Sequence, residues 1–222
     1  AEGEVARASW AFPVAGLLVG FLGALVYWVA ERLHIPPRPA SVLALAATVL
    51  LTGAMHEDGL ADTADGFGGG KTRERKLEIM RDSRIGTFGA CALVLSLLLR
   101  WSAIASLDQA HSVAIALVTA HVAARAGMPA FMRFVPPARL DGLSSGAGQP
   151  PIQSVVIALA LGVVALAIGL GVGAMLIGIV AVAAIGFLLA QLSLRQVGGQ
   201  TGDVLGAFEQ MAEAALLLIA VA

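Results

Sequence analysis

Asp58, Asp62 and Asp65 stand four and three residues apart in the stretch HEDGLADTADGFGGGKTRERKLEIMRDSRIGTFG at 56–89. If the chain is helical there, that spacing puts all three within about 60° of one another on one face. Three carboxylates on one stripe repel unless a cation lies between them. An all-oxygen set suits a hard divalent ion, which keeps several waters and binds one or two carboxylates plus substrate phosphates. One cysteine, Cys91, and four histidines provide no zinc-type set. Mg²⁺ is therefore the expected cofactor, on Asp58, Asp62, Asp65 and the adjacent Glu57. The competing account is a solvated acidic helix start, because acids favour helix N-termini. His56, beside the acids, can take a proton from a hydroxyl nucleophile, as can a metal-bound carboxylate.

The residues that follow divide by chemistry. GFGGGK lacks the Walker A spacing and a preceding strand, so it is expected as a mobile turn whose backbone amides can approach an anion. KTRERKLEIMRDSRIG reads as an amphipathic helix. Its Arg73, Arg75 and Lys76 suit anionic headgroups, with Lys76 kept as a phosphate contact as well. Arg81 and Arg84 flank Asp82 and Ser83 just before the next apolar run, and a guanidinium is a bidentate phosphate clamp.

A second constellation, GGQTGDVLGAFEQMAE, carries Thr201, Asp203, Glu209 and Glu213 into an apolar helix, and acids in a membrane segment are functional candidates by default. Asp203 has an equally good reading as a helix cap. His121 and Arg125, four apart in another apolar run, read as a packed internal pair, and Arg100 as a side chain snorkelling to the outer membrane face.

These residues need positioning by a membrane bundle. Of 222 residues, 58% are hydrophobic and 13% charged, with a mean hydropathy of +0.86, far from a soluble domain. A net charge of −1 argues against nucleic-acid binding, which calls for a basic excess. The opening residues lack the basic region and cleavage site of a signal peptide. Runs at 10–30, 39–55, 85–107, 111–132, 152–170, 172–194 and 203–222 predict about seven spans of one all-α polytopic bundle, a single domain over 1–222. With alternating loops, eleven of the fourteen Lys and Arg fall on one side: Arg7, the six between Lys71 and Arg84, Arg125, Arg133, Arg139 and Arg195. Arg32 and Arg38 fall on the other. The eleven mark the cytoplasmic side. That side also holds the acidic stretch, the loop within RAGMPAFMRFVPPARLDGLSSGAGQPP and the GGQTGD turn, so the active site is expected at the cytoplasmic face.

The stretch at 56–89 and GGQTGDVLGA closely resemble the two signature segments of the cobalamin synthase family, the adenosylcobinamide-GDP ribazoletransferases. The resemblance implies a multi-pass enzyme of the bacterial inner membrane that requires Mg²⁺. It also implies transfer of the cobinamide phosphate of adenosylcobinamide-GDP to α-ribazole or its 5′-phosphate, with release of GMP. The lipid bilayer, a homo-oligomer or other corrinoid-pathway enzymes are the expected partners. The middle segment ARLDGLSSGAG is a looser version of the family's Ala-Arg…Gly-Leu-Gly pattern and carries over Arg139. Taken together, the expected catalytic residues are Asp58, Asp62, Asp65, Asp82, Asp203 and His56. Arg81, Arg84, Lys76, Arg125, Arg139, Thr201, Glu209 and Glu213 are the expected substrate contacts. A CDP-alcohol type phosphotransferase lacks support because DGLADTADG departs from the Asp-Gly-x-x-Ala-Arg opening of that class. An ion-coupled transporter would need mid-membrane acids and an inverted repeat.

The distribution of basic residues makes a topological prediction. In a Cys91→Ala background, cysteines placed in 66–76 or 140–149 are expected to react with impermeant thiol reagents only from the cytoplasmic side. Labelling of either from outside contradicts the predicted orientation.

Overall fold

A computed structural model describes residues 3–139 and 146–222. Residues 140–145 of the expected middle loop lie outside the described residues. Elements are all helical among the described residues, apart from one isolated bridge between Pro137 and Gln200. They are α1 Glu4–Ala8, α2 Phe12–Arg32, α3 Pro37–Thr52, α4 Met55–Gly69, α5 Arg73–Ile79, α6 Thr87–Leu107, α7 Ala110–Phe134, α8 Ile152–Val197 and α9 Gly202–Val221. α2, α6, α7, α8 and α9 are each long and apolar enough to cross a membrane, and α3 with α4 makes a sixth candidate, broken by an 86° bend. The chain is thus a multi-pass membrane protein.

Local chemistry sets the boundaries. Proline opens α2 and α3 at their first or second positions, where its missing N–H costs no helical hydrogen bond. α3 ends at Gly53, and both Gly53 and Ala54 have positive φ. Two left-handed residues in succession turn the chain through the 86° bend into α4. α8 is 46 residues long and, straight, would measure about 69 Å, over twice the ~30 Å hydrocarbon thickness. Gly171, at φ 79° and ψ 167°, breaks it in a conformation open essentially to glycine alone. A Cβ at Gly178 would lie 3.3 Å from Leu166, so the two halves fold back side by side. The arrangement is compatible with the seven spans expected.

Three departures from the sequence reading share one cause, which is packing. Gly66, Gly68 and Gly69 belong to α4 and form no turn; the methionine Met80 and the ring of Phe88 come so close to Gly66 and Gly68 that a side chain there would collide. The basic amphipathic helix shrinks to Arg73–Ile79. α7 continues through Phe134, so the first ten residues of the expected polar middle segment, Arg125–Phe134, are helical.

α7 is the central post, almost entirely enclosed from Ala116 to Phe131. α2 approaches it through Gly16 and Gly20, whose backbones meet those of His121 and Val118. Such close approach by small residues is how helices associate in lipid, where no hydrophobic force separates protein from solvent. A Cβ at Gly20 would lie 2.7 Å from the Val118 Cα. Gly20→Leu is therefore expected to force α2 from α7 and cost at least 1–3 kcal/mol, roughly the overpacking range, read as a lower melting midpoint in detergent. Gly173→Ala, with nothing within 4 Å of the added Cβ, should leave the midpoint unchanged or slightly raised. Equal effects of the two substitutions would contradict this packing.

Candidate active site

The two signature segments form one wall. α4 packs on α9 at Gly59, where a Cβ would lie 2.8 Å from the backbone oxygen of Asp203. Gly206 faces His56 in the same contact. On its other flank α4 meets α6 through Asp65, whose carboxylate accepts hydrogen bonds from the N–H groups of Gly86 (2.7 Å) and Gly89 (2.8 Å). These amides open α6 and have no helical acceptor of their own. Asp65 is buried and fixes the angle between the two helices. The acidic stripe runs between these two contacts, with Asp58 exposed and Asp62 half-buried. The charges of Asp58, Asp203 and Asp65 all act on Asp62.

A cavity of about 760 Å³ opens at this wall. Asp58, Asp203 and His56 supply its polar side, while Met55, Met128, Met132, Phe12 and Leu205 supply much of its apolar side. Asp203 does not cap its helix. The N-cap of α9 is Thr201, whose hydroxyl accepts from the N–H of Val204 (3.2 Å) and donates to Asp203 Oδ2 (3.1 Å). Asp203 is thereby free to face the cavity, with Arg139 Nη2 at 3.5 Å. Arg139 Nη1 is buried and makes no hydrogen bond among the described residues.

A second cluster lies deeper, enclosed by α4, α6, α7 and α9. Arg100 donates to Glu57 Oε1 (3.1 Å from both terminal nitrogens) and to Glu213 Oε1 (3.3 Å). Its side chain is 1% exposed; the expected snorkelling is replaced by ion pairs to two helices. Arg125 pairs with Glu209, donates to His121 Nδ1 at 2.9 Å and reaches His56 Nδ1 at 3.4 Å. His121 and Arg125 thus form the internal pair the sequence suggests. His121, Glu209 and Glu213 bring three ligand atoms within 4.8 Å of one another, a metal-sized group. The Arg125 guanidinium, bonded to two of them, takes the place of the cation.

The remaining expected site residues lie elsewhere. Lys76 is buried and its ammonium donates to the carbonyl of Phe67 (2.8 Å), closing the C-terminal end of α4, where carbonyls lack partners and a positive charge is favourable. Arg84 is exposed and paired with Asp82 (2.6 Å). Hydrogen bonds from Arg84 hold the Asp82 carboxyl down at about 2, so this acid stays ionised near neutral pH. Arg81 is exposed on the same turn. Arg73, read from sequence as a headgroup contact, donates to Val197 O (2.8 Å) and Ala138 O (2.6 Å). It ties α5 to the turn that leads into Asp203; nothing in its local sequence marks that role. Arg100 carried a readable signal, an ionisable residue inside a span.

The buried pairs set a stability prediction. Arg100→Met leaves Glu57 and Glu213 without their guanidinium partner, a loss of about 3–5 kcal/mol for a broken buried pair. A marked fall of the melting midpoint in detergent is expected. Arg75→Ala, which removes an exposed pair with Glu78, should leave it unchanged. A midpoint unmoved by Arg100→Met contradicts the network.

The family model described as cobalamin-5-phosphate synthase matches residues 1–221. The chain is similar to the adenosylcobinamide-GDP ribazoletransferase of Bradyrhizobium diazoefficiens, 62% identical over 222 residues, covering all of this chain and 85% of that one. Its counterpart from Mesorhizobium japonicum is 50% identical over 97% of this chain and 83% of its own. That from Azorhizobium caulinodans is 46% identical over 97% and 84%. No solved structure matches.

Proposed function

The chain belongs to the cobalamin-5-phosphate synthase family, and from that premise we propose that it is an adenosylcobinamide-GDP ribazoletransferase whose catalytic centre is the wall shared by α4 and α9. One observation carries the assignment of the site: Asp58 and Asp62 from one signature segment meet Asp203 from the other, beside a cavity that Asp58 and Asp203 both line. A CDP-alcohol phosphotransferase and a transporter both lack the family match.

The donor set fits Mg²⁺. Asp58, Asp62 and Asp203 offer only carboxylate oxygens, and Arg139 lies 3.5 Å from Asp203. The three are less tightly gathered than the deeper His121 group, as suits an ion that shares its shell among waters, substrate phosphates and one or two carboxylates. Asp58, Asp62 and Asp203 would hold the ion, which would supply neutralisation of the pyrophosphate charge. Asp65 and Glu57 are committed to α6 and Arg100 and position the ligands without joining them.

The remaining steps belong to the side chains. The α-ribazole hydroxyl attacks the phosphorus on the corrinoid side, the new O–P bond forms, and the bond to the GMP phosphate breaks. His56, on the cavity wall, takes the hydroxyl proton. Arg139, 3.5 Å from Asp203 and with its Nη1 unpartnered among the described residues, would donate to a phosphoryl oxygen as charge redistributes. The apolar methionine side of the cavity excludes water, favouring transfer over hydrolysis. On this reading the site faces the cytoplasm of the bacterial inner membrane, which the excess of basic residues in the loops of that side supports.

Purified protein is expected to release GMP from the GDP-activated donor only with both α-ribazole and Mg²⁺ present, and to stop when the metal is chelated. Asp62→Asn and Asp203→Asn should each lower the rate at least tenfold, and the double variant should be little slower than the worse single, because both act in one site. A double-variant rate equal to the product of the single effects would separate the two residues. No GMP release by the unmodified protein would remove the functional reading itself.

A further inference from the structure

Glu209, Glu213 and Arg125, expected from the sequence as substrate contacts, lie behind the cavity wall in this fold. They are 0%, 1% and 4% exposed, and none lines the cavity. One residue joins their cluster to the cavity. His56 lines the cavity, while its Nδ1 faces inward to Arg125 Nη2 at 3.4 Å and Glu209 Oε2 at 3.7 Å. We propose that Glu209 and Arg125 are positioning residues for His56, holding its imidazole in one orientation on the cavity wall beside Asp58. The proposal rests on the transferase reading above for its kinetic consequences.

His56 needs such support. It is the second residue of α4, directly after the 86° bend at Gly53 and Ala54, so no preceding helical turn confines its ring. A Cβ added at Gly206 would lie 3.3 Å from its Cα, so the close helix packing fixes the backbone and leaves ring rotation to its polar neighbours. Those neighbours are themselves locked. Arg125 is bonded to Glu209 and His121. Glu209 accepts from Gln210 Nε2 at 3.0 Å, His121 Nδ1 lies 3.3 Å from Glu213, and Arg100 ties Glu213 to Glu57. A guanidinium with a planar fork can hold several acceptors in fixed directions, whereas an ammonium cannot. Supporting shells of this kind keep a reacting side chain within the narrow range of productive geometries.

A network that only joined helices would act on stability and act equally whether or not His56 is present. The test is a double-mutant cycle on single-turnover GMP release with enzyme in excess, which reads very slow rates. Glu209→Gln is expected to lower the rate at least tenfold while changing the KM for the donor less than twofold. In a His56→Ala background the same substitution should change the rate less than twofold. The same fold-loss in both backgrounds, or no loss in the first, overturns the proposal. Should Glu209→Gln not purify as a folded protein, Arg125→Lys takes its place in the cycle with the same two outcomes. A second readout needs no turnover: modification of His56 by diethyl pyrocarbonate, mapped by mass spectrometry. Its rate should change at least threefold in Glu209→Gln and not in Gly173→Ala. An unchanged rate overturns the proposal, even where a failure to release GMP has already removed the functional reading.

Discussion

Hydrocarbon cannot solvate a charge, so every ionised group carried into the bundle has to meet an opposite one. That constraint organises this protein more than any apolar contact does. Glu57, Glu209 and Glu213 come from α4 and α9, Arg100 from α6 and Arg125 from α7, and their pairs are the polar contacts that hold four helices in register. Apolar faces slide in lipid with little penalty, whereas a misplaced helix here would strand a buried carboxylate. The small residues of α2 and α8 then close the packing around a core whose register the charges have set.

The same constraint separates two kinds of acid in the signature segments. Acids with partners inside the protein serve the fold: Glu57 and Glu213 on Arg100, Glu209 on Arg125, Asp65 on the opening amides of α6. Asp58, Asp62 and Asp203 instead gather beside the cavity, with Arg139 3.5 Å from Asp203. Their mutual repulsion is what the proposed divalent cation would relieve, and that cation would in turn attract a pyrophosphate. On the proposed reading, binding energy is concentrated where charge moves during transfer.

Much of this could be read from the sequence, and the reasons differ by residue. The apolar runs and the i, i+4, i+7 spacing of Asp58, Asp62 and Asp65 are periodic signals, and the helix they imply is α4. Which of those acids faces a cation and which faces another helix is a tertiary matter. Asp65 departs from the group only because α6 begins beside it, and no local pattern encodes that. The capping of α9 by Thr201 in place of Asp203 turns on a two-residue difference in where the helix starts, below what propensity resolves. Arg73 and Lys76 look alike in sequence as headgroup-binding bases. One instead ties distant turns together and the other closes a helix end, because the glycine-rich end of α4 is helical and lets Met80 and Lys76 pack against it.

The central claim is that carboxylates from the two signature segments hold one cation. Mn²⁺, a paramagnetic stand-in for Mg²⁺, can be titrated into the purified protein in detergent and followed by electron paramagnetic resonance. Saturable binding is predicted for the unmodified protein, weakened at least tenfold by Asp62→Asn and by Asp203→Asn, and untouched by Glu78→Gln on the exposed surface of α5. Binding that survives both aspartate substitutions would contradict the account.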